Sequence, residues 1–164
     1  MPGWIGHKID VNITDSIKTK IDLVAPCDVI GREIESDLHN VVSKARGGAG
    51  GLVSDIASQS RMLQISALGS YGSNKNGNLA GSISIESSGN SALVGTDLYY
   101  ASYVEEGRGS ITATGKALHF FLDGEEVFVK SVGPASPRPY VEDSYSLLES
   151  RAEATVNRFM DSLL

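Results

Sequence analysis

Cysteine occurs once in the 164 residues, at Cys27. A single thiol closes no internal disulfide and supports no metal cluster. Beside Pro26, in an apolar segment, it reads as a buried thiol. No run approaches the 18 apolar residues of a membrane span. The opening MPGWIGHKID lacks the basic-then-apolar pattern of a secretory leader. The chain is therefore expected to be made in a cytoplasm and to stay soluble, with no membrane partner, and the sequon Asn12-Ile13-Thr14 carries no meaning there. Basic residues are also short: 14 Lys and Arg stand against 20 Asp and Glu, a net charge of −6. Duplex DNA binders displace counterions with a basic face, so DNA is not expected as a specific ligand. Lys116, Lys130 and Arg138 leave room for a local basic patch.

Catalytic signatures are equally thin. His7, His39 and His119 show no metal-ligand spacing, and neither cysteines nor paired acids accompany them. The cluster GGAGG, residues 47–51, has neither the preceding strand nor the Gly-Lys-Ser/Thr ending of a phosphate loop. No serine sits in a G-x-S-x-G elbow. No cofactor is expected.

What the sequence does contain is periodicity, within a length that fits one domain. Ile9, Val11 and Ile13 alternate along HKIDVNI, a strand pattern. Residues 15–24 fit a helix face through Ile17, Ile21 and Val24, and equally a strand through Ile17, Thr19, Ile21 and Leu23. From Asp28 to Ala45, apolar residues at Ile30, Ile34, Leu38 and Val41 predict an amphipathic helix. The glycines of GGAGG, at about 1 kcal/mol each inside a helix, are expected to break or hinge it. A second helix follows through Leu52, Ile56, Leu63 and Ala67, and residues 69–78 read as a loop. LAGSISIESS reads as a strand with Ile83 and Ile85 on one face, and Gly89-Asn90 as a turn into SALVGTDL. In LHFFLDGEEVFV, Asp123-Gly124 between alternating apolar runs marks a two-residue hairpin. The prolines between Pro134 and Pro139 make an extended connector. Val141, Tyr145, Leu148, Ala152, Val156, Phe159 and Leu163 then step by three and four. Pro139 stands just ahead of them, and Glu142 and Asp143 occupy the first turn, which suits the positive end of a helix dipole.

The expected fold is α+β. A mostly antiparallel sheet of four to five strands would carry the N-terminal helices and the C-terminal helix on one face. Within a single domain this places an N-terminal strand or arm at 1–27, a helical region at 28–68, the sheet at 79–133 and the last helix at 139–164. The polar, glycine-bounded segment 107–116 is too long for a simple turn and is expected to project from the sheet and contact an adjacent subunit or the tail.

The stretch VGTDLYYASYVEEGRG concentrates tyrosines and glutamates. Read as a strand, it puts Tyr99, Ala101 and Tyr103 on one face and Tyr100, Ser102 and Val104 on the other. Glu105 and Glu106 would then point to opposite faces and could not act on one substrate as acid and base. No lysine lies nearby in sequence to activate a tyrosine. The bland reading is architectural: tyrosines bridging core and interface, one carboxylate solvated and the other ion-paired. The rival reading is a small cytoplasmic enzyme or ligand-binding domain that uses residues 99–106.

This stretch also carries a resemblance. Gly77-Asn78-Leu79, Ser82-Ile83, Val94-Gly95, the run Tyr100-Ala101-Ser102-Tyr103-Val104-Glu105-Glu106-Gly107 and the proline-rich Pro134 to Tyr140 together resemble the HK97-type tail-component family of tailed bacteriophages, neck or tail-completion proteins of the head–tail junction. The likeness covers roughly residues 28–164, with the GGAGG interruption outside its pattern. It implies a structural virion protein, assembled in the bacterial host cytoplasm, with no catalysis. Such a subunit would form a homo-oligomeric, six-fold ring between the head connector and the tail tube, touching neck, connector and tail-tube proteins while DNA passes through the lumen. A head-to-tail ring needs heterologous contacts that close by rotation. The residues expected at those contacts are Trp4, Tyr100, Tyr103, Glu105, Glu106, Arg108, Ser110, Thr112 and Lys116.

Overall fold

The computed structural model describes residues 4–13, 16–24, 32–37, 42–72, 77–122 and 124–162. The architecture is α+β. Strands β1 (Ile5–Ile13), β2 (Ser16–Val24), β3 (Arg32–Asp37), β4 (Ser84–Ser88) and β5 (Ser91–Thr96) form one antiparallel sheet in the order β3-β2-β1-β5-β4. Helices α1 (Val42–Ser70) and α4 (Tyr140–Asp161) pack against each other and against this sheet. β1 shows why the helices cover one face. Ile5, His7, Ile9 and Val11 are buried at alternate positions, while Lys8 between them is exposed.

The helical periodicities read from the sequence mark the core. On α1, Leu52, Ile56 and Leu63 are buried, and on α4 so are Val141, Tyr145, Leu148, Ala152 and Val156. Gly89 at φ +59° turns β4 into β5. Residues 118–129 form the expected hairpin, β7 (Leu118–Leu122) with β8 (Glu125–Val129), and Gly124 stands at φ +87° in its turn.

Three local expectations are corrected, and one left open is resolved. Within the amphipathic helix placed at 28–45, Arg32–Asp37 is instead edge strand β3, with Ile34 opposite Thr19 of β2, and among the described residues helix starts at Val42, where α1 begins. A sheet edge open for pairing outweighs the 3.6 pattern there. Of the ambiguous residues 15–24, Ser16–Val24 form a strand, paired between β1 and β3. GGAGG does not break the helix. It runs through α1, and a Cβ on Gly48 would lie 2.5 Å from the Phe159 ring, so the glycine admits α4 at close range. The 79–133 region does not form one sheet. Asn78–Ser82 is a short helix, α2, Ile85 is exposed on β4, and only β4 and β5 join the main sheet.

Val94-Gly95 acquires a physical meaning here. Gly6 pairs with Gly95 between β1 and β5, and a Cβ on either would overlap backbone, the Val94 carbonyl in one case and the Ile5 carbonyl in the other. Gly95→Ala is expected to cost about 3 kcal/mol through overpacking between central strands, measurable as a lower urea midpoint. An unchanged midpoint would show that the two strands can part without penalty.

Candidate functional site: a capped helix at the root of a projecting arm

The tyrosine–glutamate stretch is not a strand. Tyr99 and Tyr100 lie in a turn, and Ala101–Glu105 forms a short helix, α3. The helical spacing of four puts Ala101 and Glu105 together on the buried side. Tyr103 and Glu106 face solvent and Tyr100 is half-buried.

Glu105 caps α4. Its Oε2 accepts the amide of Val141 at 3.0 Å and its Oε1 that of Glu142 at 3.1 Å. These are unpaired donors of a helix N-terminus, and a carboxylate there complements the helix dipole. Only 3% of Glu105 is exposed. Burial pushes its pKa up to about 7, and the neighbouring carboxylates of Glu142 and Asp143 push the same way against the two amide bonds. Asp143 accepts a hydrogen bond from the Tyr71 hydroxyl, which ties the end of α1 to the same first turn and raises the Tyr71 phenol. Tyr140 is wholly buried, its hydroxyl without a partner among the described residues.

Val141 joins this cap to a second buried cluster. His7 Nε2 lies 3.1 Å from the Val141 carbonyl, which can only accept, so Nε2 carries the proton. His7 Nδ1 therefore accepts from the Ser60 hydroxyl at 2.7 Å. Gln64 donates to Ser60 Oγ and to the Val94 carbonyl. Burial pulls the His7 pKa down to about 4, against the Val141 bond. His7 is thus a neutral core histidine that links the sheet, α1 and α4, a role no spacing in the sequence signals.

Beyond α3 the chain leaves the body. Gly107 takes φ +75°, and a Cβ there would stand 2.6 Å from the Ala135 carbonyl, so glycine is required for the exit. Arg108 and Ala135 exchange backbone hydrogen bonds, and the Arg138 amide donates to the Val104 carbonyl. Strand β6 (Ile111–Thr112) pairs with β9 (Ser131–Val132), and the β7–β8 hairpin continues outward. Between these ladders, residues 113–117 stand against Lys130 alone, a joint in the arm. The projecting segment is thus larger than the 107–116 loop expected. It is an antiparallel arm spanning roughly 107–138, whose outgoing strand contains that loop.

The residues expected at an interface are distributed as follows. Ser110, Thr112 and Lys116 are exposed along the outgoing strand of the arm, with Tyr103 and Glu106 beside its root. Arg108 is half-buried and donates to the Gly109 and Gly133 carbonyls. Trp4 is half-buried just before β1, with its indole N–H buried and unpartnered among the described residues. Glu105 is the correction: its carboxylate is engaged inside the protein, so it offers no interface contact and forms no pair with Arg108. Cys27 and His39 lie outside the described residues. His119 is an arm residue, stacked on Phe128 with ring centroids 4.5 Å apart and 2.7 Å from the Glu126 carboxylate.

Among the described residues no group of three His, Cys, Asp or Glu could hold a metal ion. No helix among them is long and apolar enough to cross a membrane. No family model, no curated protein and no solved structure matches the chain.

Proposed function

We propose that this protein is a structural subunit of a tailed-phage head–tail junction, a tail-completion, terminator or neck protein that assembles into a ring through its arm. The observation that carries the reading is the arm itself. Phe121, Leu122 and Phe128 are each about 60% exposed or more on it. A lone two-stranded hairpin is marginal in water, so exposed aromatics on one call for a surface to cover them. Two of the motif runs that resemble the phage family also fall at the arm's foundations. Tyr100 to Gly107 makes α3 and the exit turn, and Pro134 to Tyr140 makes the return and the start of α4.

The rival enzyme reading loses its best acid. Glu105 is committed to two backbone amides and is closed to substrate. A six-fold ring and contacts with connector and tail-tube proteins belong to the same proposal through the resemblance. The net charge of −6 suits a lumen along which DNA slides without sticking.

The test is an add-back experiment. A lysate of the phage lacking this protein is examined by electron microscopy before and after the purified protein is supplied. Separate filled heads and tails should become joined. A version with residues 118–129 replaced by a short glycine turn should fold and fail to join them. Complete particles forming in the protein's absence would end the junction reading.

A further inference from the structure

The two ladders of the arm are out of step. In the root ladder Ile111 pairs with Val132 and Thr112 with Ser131, and the Ala113 amide donates to the Lys130 carbonyl. In the tip ladder Leu118 pairs with Val129. Lys130 and Val129 are neighbours on the returning strand, whereas Ala113 and Leu118 are five positions apart on the outgoing one. The four residues from Thr114 to Ala117 are therefore extra. An insertion in one strand of a pair bends the ribbon and interrupts its pairing. The chain does bend at Lys130, and all four extra residues are exposed. A Cβ on Gly115 would touch nothing. β7 and β8 pack chiefly on each other, so the tip is steered by the joint more than by the body.

The two faces of the tip hairpin differ. Leu118, Phe120, Val127 and Val129 share one face, and each is half-buried. His119, Phe121, Glu126 and Phe128 share the other, and all are exposed. The half-buried face looks across the joint. Leu118 and Phe120 line an open apolar groove of about 320 Å³ with Ile111 and Val132 of the root ladder, and Arg108 and His119 complete the lining. The groove thus has one wall on each ladder, and Ile111 on the root wall is still 46% exposed.

We infer that the arm is jointed: the tip hairpin swings as a rigid body about residues 113–117, and its closure brings Leu118 and Phe120 onto Ile111 and Val132. Closing removes apolar surface from water and breaks no ladder hydrogen bond, because each ladder keeps its own pairs. Opening returns that face for a neighbour to cover, while Phe121 and Phe128 point outward in both positions. The hairpin is five pairs long. At the usual strand rise that is about 15 Å, so a swing of roughly 40° carries its end about 10 Å. The joint belongs to the single chain, so this inference goes beyond the ring reading and does not rest on it.

The test is a distance measurement by pulsed electron paramagnetic resonance on the monomeric fraction of the full chain. Spin labels carried on p-acetylphenylalanine in place of Glu125 and Glu153, both exposed, leave Cys27 untouched. The otherwise wild-type chain should give two distance populations, closed and open. Ile111→Asp puts a charge into the groove and should lower the closed-to-open ratio about tenfold. Deleting residues 114–117 takes out the slack and should leave one narrow population. Ile111 is on the arm and outside the core, so its variant keeps the folded body and decides the matter even where the deletion does not fold. A single narrow population in the otherwise wild-type chain, an unchanged ratio in Ile111→Asp, or a folded deletion variant that keeps both populations would each overturn the inference. A swinging arm on a protein that joins no heads to tails would defeat the phage reading alone. A rigid arm on a protein that joins them would defeat this inference alone.

Discussion

Glu105→Gln is expected to turn a nearly level stability profile between pH 4.5 and 6.5 into a rising one. Two buried groups oppose each other in that window. Glu105 has its pKa raised from 4.5 to about 7 in the folded chain. Its contribution is fully present below pH 4.5 and is lost as pH rises through 7, about 3 kcal/mol in all. His7 has its pKa lowered from 6.5 to about 4. Its contribution is present above pH 6.5 and is lost as pH falls through 4, again about 3 kcal/mol. Between pH 4.5 and 6.5 the folded chain holds the Glu105 proton more tightly and the His7 proton less tightly than the unfolded chain does, and the two slopes cancel.

Glutamine removes the first slope and leaves the second. At pH 5 the variant also loses about 1 kcal/mol, because one amide oxygen cannot satisfy both Val141 and Glu142. Above pH 7 that loss is offset, since no charge is held inside. Urea midpoints at half-unit pH steps would show the change. A variant profile as level as the wild type would remove Glu105 from the account.

His7→Ala should have the largest single effect on stability, about 3–4 kcal/mol at pH 7. It opens a cavity between β1 and both helices, and it strips Ser60 of its acceptor and the Val141 carbonyl of a donor. Small domains hold only about 5–15 kcal/mol in total, so the variant should remain folded but melt much earlier. Its pH profile should run opposite to that of Glu105→Gln, falling from pH 4.5 to 7 as the remaining carboxylate ionises. The double variant should be level again. The two effects should not simply add, because both groups bond to Val141, one through its amide and the other through its carbonyl. Strict additivity in the double-mutant cycle would show that Val141 does not couple the cap to the core.

Replacing Glu105 and Glu106 together by alanine would be a poor probe of interface function, since Glu105→Ala removes a helix cap. Glu106 and Tyr103, exposed beside the arm root, are the informative positions on that stretch.

The parts of this fold legible from residue order are those governed by local rules. Helix α4 follows from its three-and-four spacing, Pro139 ahead of it, and Glu142 and Asp143 in its first turn. The tip hairpin follows from Asp-Gly between alternating runs, and the β4–β5 turn from Gly89-Asn90. Each depends on neighbours a few residues away, so the chain alone specifies it. The parts that were not legible depend on partners far off in sequence. Arg32–Asp37 is a strand because β2 presents an open edge to it. The glycine cluster stays helical where Phe159, over a hundred residues on, packs against Gly48. Residues 101–105 coil rather than extend, and that coil turns Glu105 inward to cap a helix 36 residues later. His7 reads as an isolated histidine until the fold carries Ser60, Gln64 and Val141 to its ring. Periodicity reports which side of an element is apolar. Which buried polar atoms meet is a matter of long-range packing, where a donor or acceptor without a partner costs too much to leave unpaired.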